Sequence, residues 1–209
     1  MSDLTVGLDL GQVADYSALV VTERLDLAPE TPPGRIGERR DVIHAQRWAL
    51  GTSYPALVAD VCALMAEPQL ADASLTVDAT GVGRGVMDLF NDATRDGGLP
   101  SWAYPITITA PLKRDMVSRV QALLQSGRLL IAKGLPLGEQ LERELVGFRA
   151  KNSTAGHTTY EAVTSAVHDD LVTALCLAVW NPGRSMNRRY IGRDGRTYAS
   201  PELVADPYL

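Results

Sequence analysis

Two adjacent carboxylates open one of the most apolar segments of the chain. Asp169 and Asp170 directly precede residues 171–180, whose length and composition are typical of a buried helix. Two further acids, Asp9 and Asp78, each end or interrupt an apolar run that predicts a buried strand. An unpaired buried charge costs on the order of several kcal/mol. Hard divalent cations bound by carboxylate oxygens are the simplest shared reason for these exceptions.

Length and composition limit the fold and the cellular location. The chain has 209 residues, of which 45% are hydrophobic, enough for one well-cored domain. No apolar run approaches the ~20 residues of a membrane span, and residues 1–3 do not open a secretory signal. Cys62 and Cys176 each lie in an apolar helical pattern, which indicates buried free thiols in a reducing compartment. We therefore expect a cytoplasmic protein without membrane association.

The charge balance argues against indiscriminate binding of nucleic acids, because the formal net charge is −5. Basic residues nevertheless gather locally, so an acidic protein could still carry a phosphate-binding face. The three groups are Arg35, Arg39 and Arg40; Lys113, Arg114 and Arg119; and Arg184, Arg188, Arg189, Arg193 and Arg196.

The order of apolar patterns predicts an α/β fold in which helices flank a mixed sheet. Three strands come first and favour an antiparallel meander, and the alternation of helices and strands after them favours parallel strands. Residues 28–37 and 151–157 are typical of loops, and the tail after residue 181 has so little periodicity that we expect it to be mobile or docked on a partner. The predicted strands are 4–10, 17–24, 41–50, 74–77, 102–109, 128–132 and an edge strand at 158–162. The predicted helices are 54–66, one from 83 through 90, 112–124, 137–148 and one from 169.

One edge of such a sheet can collect all four acids. Asp9 lies on the first strand, and Asp78 ends the first parallel strand. Asp169 and Asp170 start a helix that must pack back onto the sheet. Functional groups in sheets of this kind collect at strand ends along one edge.

Three segments, taken in order, carry a family resemblance. They are Gly7-Leu8-Asp9-Leu10-Gly11 with Asp15; Val77-Asp78-Ala79-Thr80-Gly81-Val82-Gly83; and Tyr160-Glu161-Ala162 leading to His168-Asp169-Asp170-Leu171, with Lys113 and residues 127–131 between them. Together they resemble the nuclease domain of tailed-bacteriophage terminase large subunits, a member of the ribonuclease H-like superfamily. The resemblance implies a ribonuclease H-like domain over residues 1–181 and an arginine-containing tail over residues 182–209.

The resemblance implies a metal-dependent endonuclease that cuts double-stranded DNA during viral genome packaging. Carried over residue by residue, the metal-binding carboxylates would be Asp9, Asp78 and one or both of Asp169 and Asp170, holding two Mg²⁺ or Mn²⁺ ions ~3.5–4 Å apart. His168 would orient a carboxylate, protonate a leaving oxygen or cover the helix start. The candidate DNA contacts are Lys113 and Arg114.

The same resemblance implies partners and a location. A packaging ATPase, a small terminase subunit and a portal would accompany the DNA, in the cytoplasm of the host cell. Terminase large subunits carry an ATPase motor ahead of the nuclease, whereas this sequence holds no Gly-x-x-x-x-Gly-Lys-Ser/Thr loop. We therefore expect either an excised domain or a nuclease without its own motor.

Each candidate residue also has a simpler structural interpretation. Asp9 could face solvent at a strand edge, and Asp78 could cap the helix that follows residue 81. Asp169 and Asp170 could be N-cap and first-turn acids favoured by the helix dipole. Asp15 could shape the turn after the first strand. Lys113 and Arg114 could simply solvate the start of a helix.

Three other functions fit part of the pattern. The glycine-flanked segments around Asp9 and Asp78 could pass for the phosphate loops of an actin/Hsp70-like ATPase, but that fold needs two lobes and leaves Asp169 and Asp170 unexplained. A packaging module that keeps the fold without activity is a non-enzymatic alternative. A Holliday-junction resolvase is the nearest alternative among nucleases.

Overall fold

The computed structural model describes residues 3–11, 15–27, 37–81, 83–100, 103–152, 158–162, 169–180, 189–191 and 197–199. The strands of the main sheet are β1 (Asp3–Asp9), β2 (Ala18–Leu27), β3 (Gly37–Arg47), β4 (Ser74–Asp78), β5 (Ala103–Ile106) and β6 (Leu129–Ile131). The helices of these ranges are α1 (Tyr54–Met65), α2 (Gly83–Arg95), α3 (Ala110–Gln125), α4 (Gly138–Gly147) and α5 (Asp170–Trp180), with a 3₁₀ turn at Pro68–Leu70. None of the helices in the described ranges is long and apolar enough to cross a membrane.

The main sheet is mixed, with strand order β5-β4-β1-β2-β3-β6. β1, β2 and β3 form the predicted antiparallel meander. β4 joins β1 in parallel, β5 joins β4 in parallel, and β6 runs parallel to β3 at the opposite edge. The predicted mixed sheet flanked by helices is therefore confirmed.

Helices cover both faces of the sheet and divide the core in two. One core lies under α1 and α2 and includes Leu8 of β1 and Val77 of β4. The other lies under α3, α4 and α5 and includes Ala18 of β2 and Val42 of β3. Because side chains alternate between faces along a strand, the residues beside Leu8 and Val77 point to the face that α5 covers.

Helix α5 packs directly on the backbone of β1. A Cβ atom at Gly7 would lie 2.0 Å from the carbonyl oxygen of Ala174 and 2.5 Å from the backbone nitrogen of Ala178. Thr5, two residues earlier on the same face, donates a hydrogen bond of 2.8 Å from Oγ1 to the carbonyl oxygen of Ala178. Glycine is required at residue 7 because any larger side chain would separate α5 from β1.

A buried arginine reinforces the contact between the sheet and α5. Arg40 of β3 is 2% exposed, and its Nη1 donates to Thr5 Oγ1 at 3.1 Å and to Thr22 Oγ1 at 3.4 Å. Its Nη2 lies 3.8 Å from Oε2 of Glu38. Burial lowers the pKa of Arg40 to about 10, so the guanidinium stays charged at neutral pH.

These pairings exclude Arg40 from the phosphate-binding face that local basic clustering suggested. Arg39 beside it pairs with Asp41, with Nε donating to Oδ1 at 2.7 Å. Arg119 is also occupied, because its Nη2 donates to Oε1 of Glu38 at 2.7 Å. Arg35 lies outside the described residues. Basic residues close in sequence are here mostly ion-pair partners of nearby acids.

The structure differs from the predicted elements at several places, among them the fifth strand, which ends at Ile106 and not at residue 109. The third strand begins at Gly37 and ends at Arg47, so it starts inside the predicted loop and stops short of residue 50. The fourth helix ends at Gly147, and the chain continues as β7 (Phe148–Asn152), which pairs antiparallel with β8 (Thr158–Ala162) in a separate sheet. The predicted helix end is therefore off by one residue, and residues 151–152 of the predicted loop belong to β7, whereas residues 153–157 lie outside the described residues. Strand β7 was not predicted because its alternation is too short to stand out from the helical pattern before it.

The tail contains regular structure that its lack of periodicity did not predict. β9 (Arg189–Ile191) and β10 (Thr197–Ala199) pair as an antiparallel two-stranded sheet. Each strand has only three residues, too few for a pattern of alternating hydrophobicity to be recognised.

Replacing Gly7 with alanine should weaken the docking of α5. The added methyl group would overlap backbone atoms of α5. We therefore expect the free energy of unfolding to fall by about 1–3 kcal/mol or more. Urea denaturation measures this change. Gly85→Ala is the matched control, because a Cβ atom there meets nothing within 4 Å and alanine favours the helix by about 1 kcal/mol. Equal effects of the two variants would contradict the tight packing.

Candidate metal centre

Strand register places the first two acids side by side. Leu8 of β1 pairs with Val77 of β4, so the next residues along the two parallel strands, Asp9 and Asp78, are neighbours. Both follow a residue of the core under α1 and α2, and both therefore point to the face covered by α5. Adjacent strands lie roughly 4.8 Å apart, which brings the two carboxylates into direct electrostatic contact.

Helix α5 brings the second pair of acids to the same place. Ala178 contacts Thr5, and Ala174 contacts Gly7, so α5 runs antiparallel to β1. Each step of four residues along the helix covers the same distance as a step of two residues along the strand. The two steps agree because four helical residues rise about 6 Å and two strand residues about 6.6 Å. One further step, of four residues back along the helix and two residues on along the strand, places Asp170 opposite Asp9. Asp170 is buried at 6% exposure, and Asp169 immediately precedes the helix.

The turn after β4 fixes the side chain of Asp78. Its Oδ1 accepts a hydrogen bond of 2.8 Å from the backbone N–H of Thr80. The Oγ1 of Thr80 in turn accepts one of 2.8 Å from the N–H of Ile108. Asp78 therefore caps the turn that follows β4, ahead of α2, which begins at Gly83.

Burial and the surrounding acids raise the affinity of Asp9 for a proton. Burial raises the pKa of Asp9 well above its ordinary value, and the charges of Asp78, Asp170 and Asp169 raise it further. Burial also raises the pKa of Asp78, against the opposing effect of the hydrogen bonds from Thr80. Lys113 lowers both pKa values but does not offset the burial. Extra positive charge would therefore stabilise this end of the sheet.

The donor set fits a hard divalent cation. Asp9, Asp78, Asp169 and Asp170 offer only carboxylate oxygens, which Mg²⁺ and Mn²⁺ prefer over nitrogen or sulfur. Among the described residues, no three acid, histidine or cysteine side chains are arranged to hold a metal ion as they stand. The site is a cluster of interacting carboxylates whose oxygen atoms are the kind of ligand that a divalent cation requires.

The remaining sequence-predicted residues differ in their distance from this cluster. Lys113 of α3 lies within it, because its Nζ is 3.6 Å from Oδ2 of Asp169 and 5.7 Å from the centre of the Phe148 ring. Arg114 and Asp15 are exposed. His168 lies outside the described residues.

Sequence reasoning missed a fifth carboxylate, Glu144 of α4, which is 4% exposed. Its Oε2 accepts a hydrogen bond of 3.1 Å from the backbone N–H of Leu171 in the first turn of α5. Burial raises the pKa of Glu144 to about 7, and the charge of Asp170 adds to the increase. The available signal was its spacing of three residues from the buried Leu141, but the other acids of α4 made Glu144 resemble a surface residue.

Sequence reasoning also missed Arg47, the last residue of β3. Arg47 pairs in register with Ala18, which pairs with Asp9, so it lies in the same row across the sheet. Its Nη1 is 3.4 Å from Oε1 of Glu144 and 3.8 Å from Oδ2 of Asp170, and its guanidinium carbon is 4.2 Å from the centre of the Tyr16 ring. No sequence signal distinguishes Arg47 from any other arginine at a strand end.

The family model described as the terminase RNaseH-like domain matches residues 6–181 of the chain. The match includes all the acids of the cluster. The chain belongs to this family. No curated protein sequence matches it at a significant level.

Solved structures of terminase nucleases share the fold of this RNase H-like domain. The large terminase nuclease from thermophilic phage G20c with bound magnesium superposes with a TM-score of 0.62 at 23% identity, covering 86% of this chain and 82% of that one. The g2p (large terminase) nuclease domain from bacteriophage SPP1 with bound Mn gives 0.54 at 12% identity and 84% coverage of each chain. The HK97 bacteriophage large terminase gives 0.57 at 16% identity, covering 86% of this chain and 39% of that one.

Neutralising Asp9 should stabilise the metal-free domain at neutral pH. Because the folded state raises its pKa, Asp9 keeps its proton at pH values where the unfolded chain has released it. The contribution of Asp9 to the free energy of unfolding is therefore fully present below the ordinary aspartate pKa of about 3.9. It is lost as the pH rises through the higher pKa that Asp9 has in the folded protein. Asp9→Asn should raise the free energy of unfolding at pH 7, and the gain should shrink towards pH 4.

Urea denaturation in EDTA from pH 4 to pH 7.5 measures this gain. Asp88→Asn on α2 is the control for removal of an exposed acid, and its effect should be small throughout. A gain at Asp9 that does not depend on pH would show that repulsion and burial of its charge are not the cause.

Proposed function

We propose that this domain is a metal-dependent endonuclease that cuts double-stranded DNA during viral genome packaging. The observation that carries the proposal is the convergence of four carboxylates at the carboxyl ends of β1 and β4 in a terminase RNase H-like domain: Asp9, Asp78, Asp169 and Asp170. The similar nucleases of phages G20c and SPP1, solved with magnesium and Mn, support a divalent cation as the cofactor.

Asp9, Asp78 and one or both of Asp169 and Asp170 would hold two Mg²⁺ or Mn²⁺ ions. Bound cations of this kind supply an activated water and neutralise charge on the leaving oxygen of a phosphodiester. The mutual effect of these carboxylates on the pKa of Asp9 supports this assignment. Asp9 must give up its proton to bind, so activity should rise with pH as the carboxyl ionises.

Lys113 places a cation beside the carboxylates, 3.6 Å from Asp169. A phosphate drawn to the metal centre would find this ammonium group at its edge. Exposed Arg114 follows on the same helix and extends the positive surface. Neither residue lies in a groove-reading element, so we expect DNA contacts that are independent of sequence.

The acidic net charge favours delivery of the nuclease by other proteins. With a formal charge of −5, the isolated chain should bind DNA weakly and in a strongly salt-dependent way. A packaging ATPase, a small terminase subunit and a portal would bring the domain to its substrate in the host cytoplasm. Preferential cutting of four-way junctions over linear duplex would instead favour a resolvase.

Asp78→Asn should abolish cleavage without unfolding the domain. The amide oxygen can still accept the N–H of Thr80, whereas its charge for binding cations is lost. Plasmid nicking and linearisation in Mg²⁺ or Mn²⁺ measure activity, with EDTA as the blank and Asp88→Asn as the control. The thermal stability of the EDTA-treated variant should equal or exceed that of the wild type. A large loss of stability would identify Asp78 as a structural cap only.

Replacing Lys113 and Arg114 with alanine should weaken DNA binding equally for all sequences. The slope of log K against log salt should fall by up to about 0.9 for each lost phosphate contact. Fluorescence anisotropy with two unrelated duplexes over a salt series measures both effects. Arg95→Ala is the control, since this exposed arginine pairs with Asp92 on α2, across the sheet from the carboxylates. A site-specific footprint, or nanomolar binding that ignores salt, would contradict the proposed packaging role.

A further inference from the structure

A carboxylate on α4 reaches across to the helix that carries Asp170. Glu144 Oε2 accepts the backbone N–H of Leu171 at 3.1 Å, although the two residues are 27 positions apart. The first N–H groups of a helix have no partner within it, so this hydrogen bond holds the first turn of α5 in place. Glu144 Oε1 faces the other way and accepts hydrogen bonds from Gln140 at 3.2 Å and Arg47 at 3.4 Å.

Arg47 is shared between two carboxylates. Its Nη1 lies 3.4 Å from Oε1 of Glu144 and 3.8 Å from Oδ2 of Asp170, so Glu144 is the nearer partner. The ring of Tyr16 packs against the guanidinium and restricts its movement. The side chain of Arg47 is only 17% exposed. A guanidinium held this way is a fixed positive charge next to the metal centre.

A fixed cation beside Asp170 has two opposing effects. It reduces repulsion among the carboxylates when no metal is bound. It would also compete with a metal ion for Asp170 if it paired with that carboxylate alone, because Arg–carboxylate pairs are strong when they are partly buried. The position of Arg47 therefore affects how strongly Asp170 can bind a cation.

We propose that Glu144 is a positioning residue that favours binding of a divalent cation at Asp170 by drawing Arg47 towards itself and by anchoring the first turn of α5. The proposal rests on the proposed metal-dependent function. It assigns Glu144 no contact with the ion or the DNA. Glu144 acts through Arg47 and through the backbone at Leu171.

The test measures Mn²⁺ binding directly by titration calorimetry, without DNA. At pH 8, Glu144→Gln keeps an oxygen for the Leu171 N–H but removes the charge that holds Arg47. We expect Mn²⁺ to bind about tenfold to a hundredfold more weakly, the range found when partners of metal ligands are removed. Gln140→Ala is the matched control, because it removes a hydrogen bond from the same Oε1 and leaves Arg47 in place. Its Mn²⁺ affinity should stay within about twofold of the wild type.

The double variant distinguishes positioning from mere support of the fold. If Arg47 captures Asp170 in Glu144→Gln, then adding Arg47→Gln should restore most of the lost Mn²⁺ affinity. If Glu144 only stabilises the structure, the double variant should bind more weakly than Glu144→Gln. Thermal melting followed by circular dichroism in EDTA checks that each variant is folded. If Glu144→Gln does not fold, the Mn²⁺ affinities of Arg47→Gln and of the double variant are compared instead. The two affinities should be equal, because the charge of Glu144 should have no effect on Mn²⁺ binding once Arg47 is removed.

The outcomes separate this proposal from the proposed function. Wild-type affinity in Glu144→Gln, or no recovery in the double variant, would overturn the positioning role while leaving the nuclease intact. Absence of Mn²⁺ binding by the wild type would overturn both. Weakened binding by Glu144→Gln together with recovery in the double variant would establish the role of Glu144.

Discussion

The contact between α5 and β1 is the constraint on which the rest of the domain depends. Gly7 lets the helix backbone lie directly on the strand, and Thr5 fixes its position along the strand through the carbonyl oxygen of Ala178. Arg40 stabilises this contact from the neighbouring strands through the Thr5 hydroxyl. Since the spacing along helix and strand is matched, the position of Asp170 beside Asp9 follows from packing that takes place one and two turns away.

The carboxylate cluster makes the domain less stable than its packing alone would allow. Burial and mutual repulsion raise the pKa of Asp9, and burial raises that of Glu144 to about 7. Two basic side chains offset part of this cost, Lys113 beside Asp169 and Arg47 between Asp170 and Glu144. A bound cation would offset more of it, so the proposed cofactor would also stabilise the fold.

A site residue could be predicted from the sequence where it interrupts a hydrophobic pattern. It could not be predicted where its polar character fits the pattern of a surface helix or strand. Asp9 and Asp78 interrupt apolar strands, and so their meeting at one end of the strands was predictable. Glu144 lies among other acids on an amphipathic helix, and only the packing of α4 against α5 shows that it is buried. Arg40 was misjudged for the same reason, because its burial depends on Thr5 and Glu38, which are brought to it by strand pairing.

The order of the cluster along the chain has a consequence for synthesis. Asp9 and Asp78 belong to strands that are made early, whereas Asp170 arrives only with α5. A ribosome must therefore complete and release the segment through residue 180 before the four acids can meet. Contacts of such long sequence separation also form slowly. A nascent chain thus passes through most of its translation without a complete centre, and the capacity to cut DNA would appear only once the fold is closed.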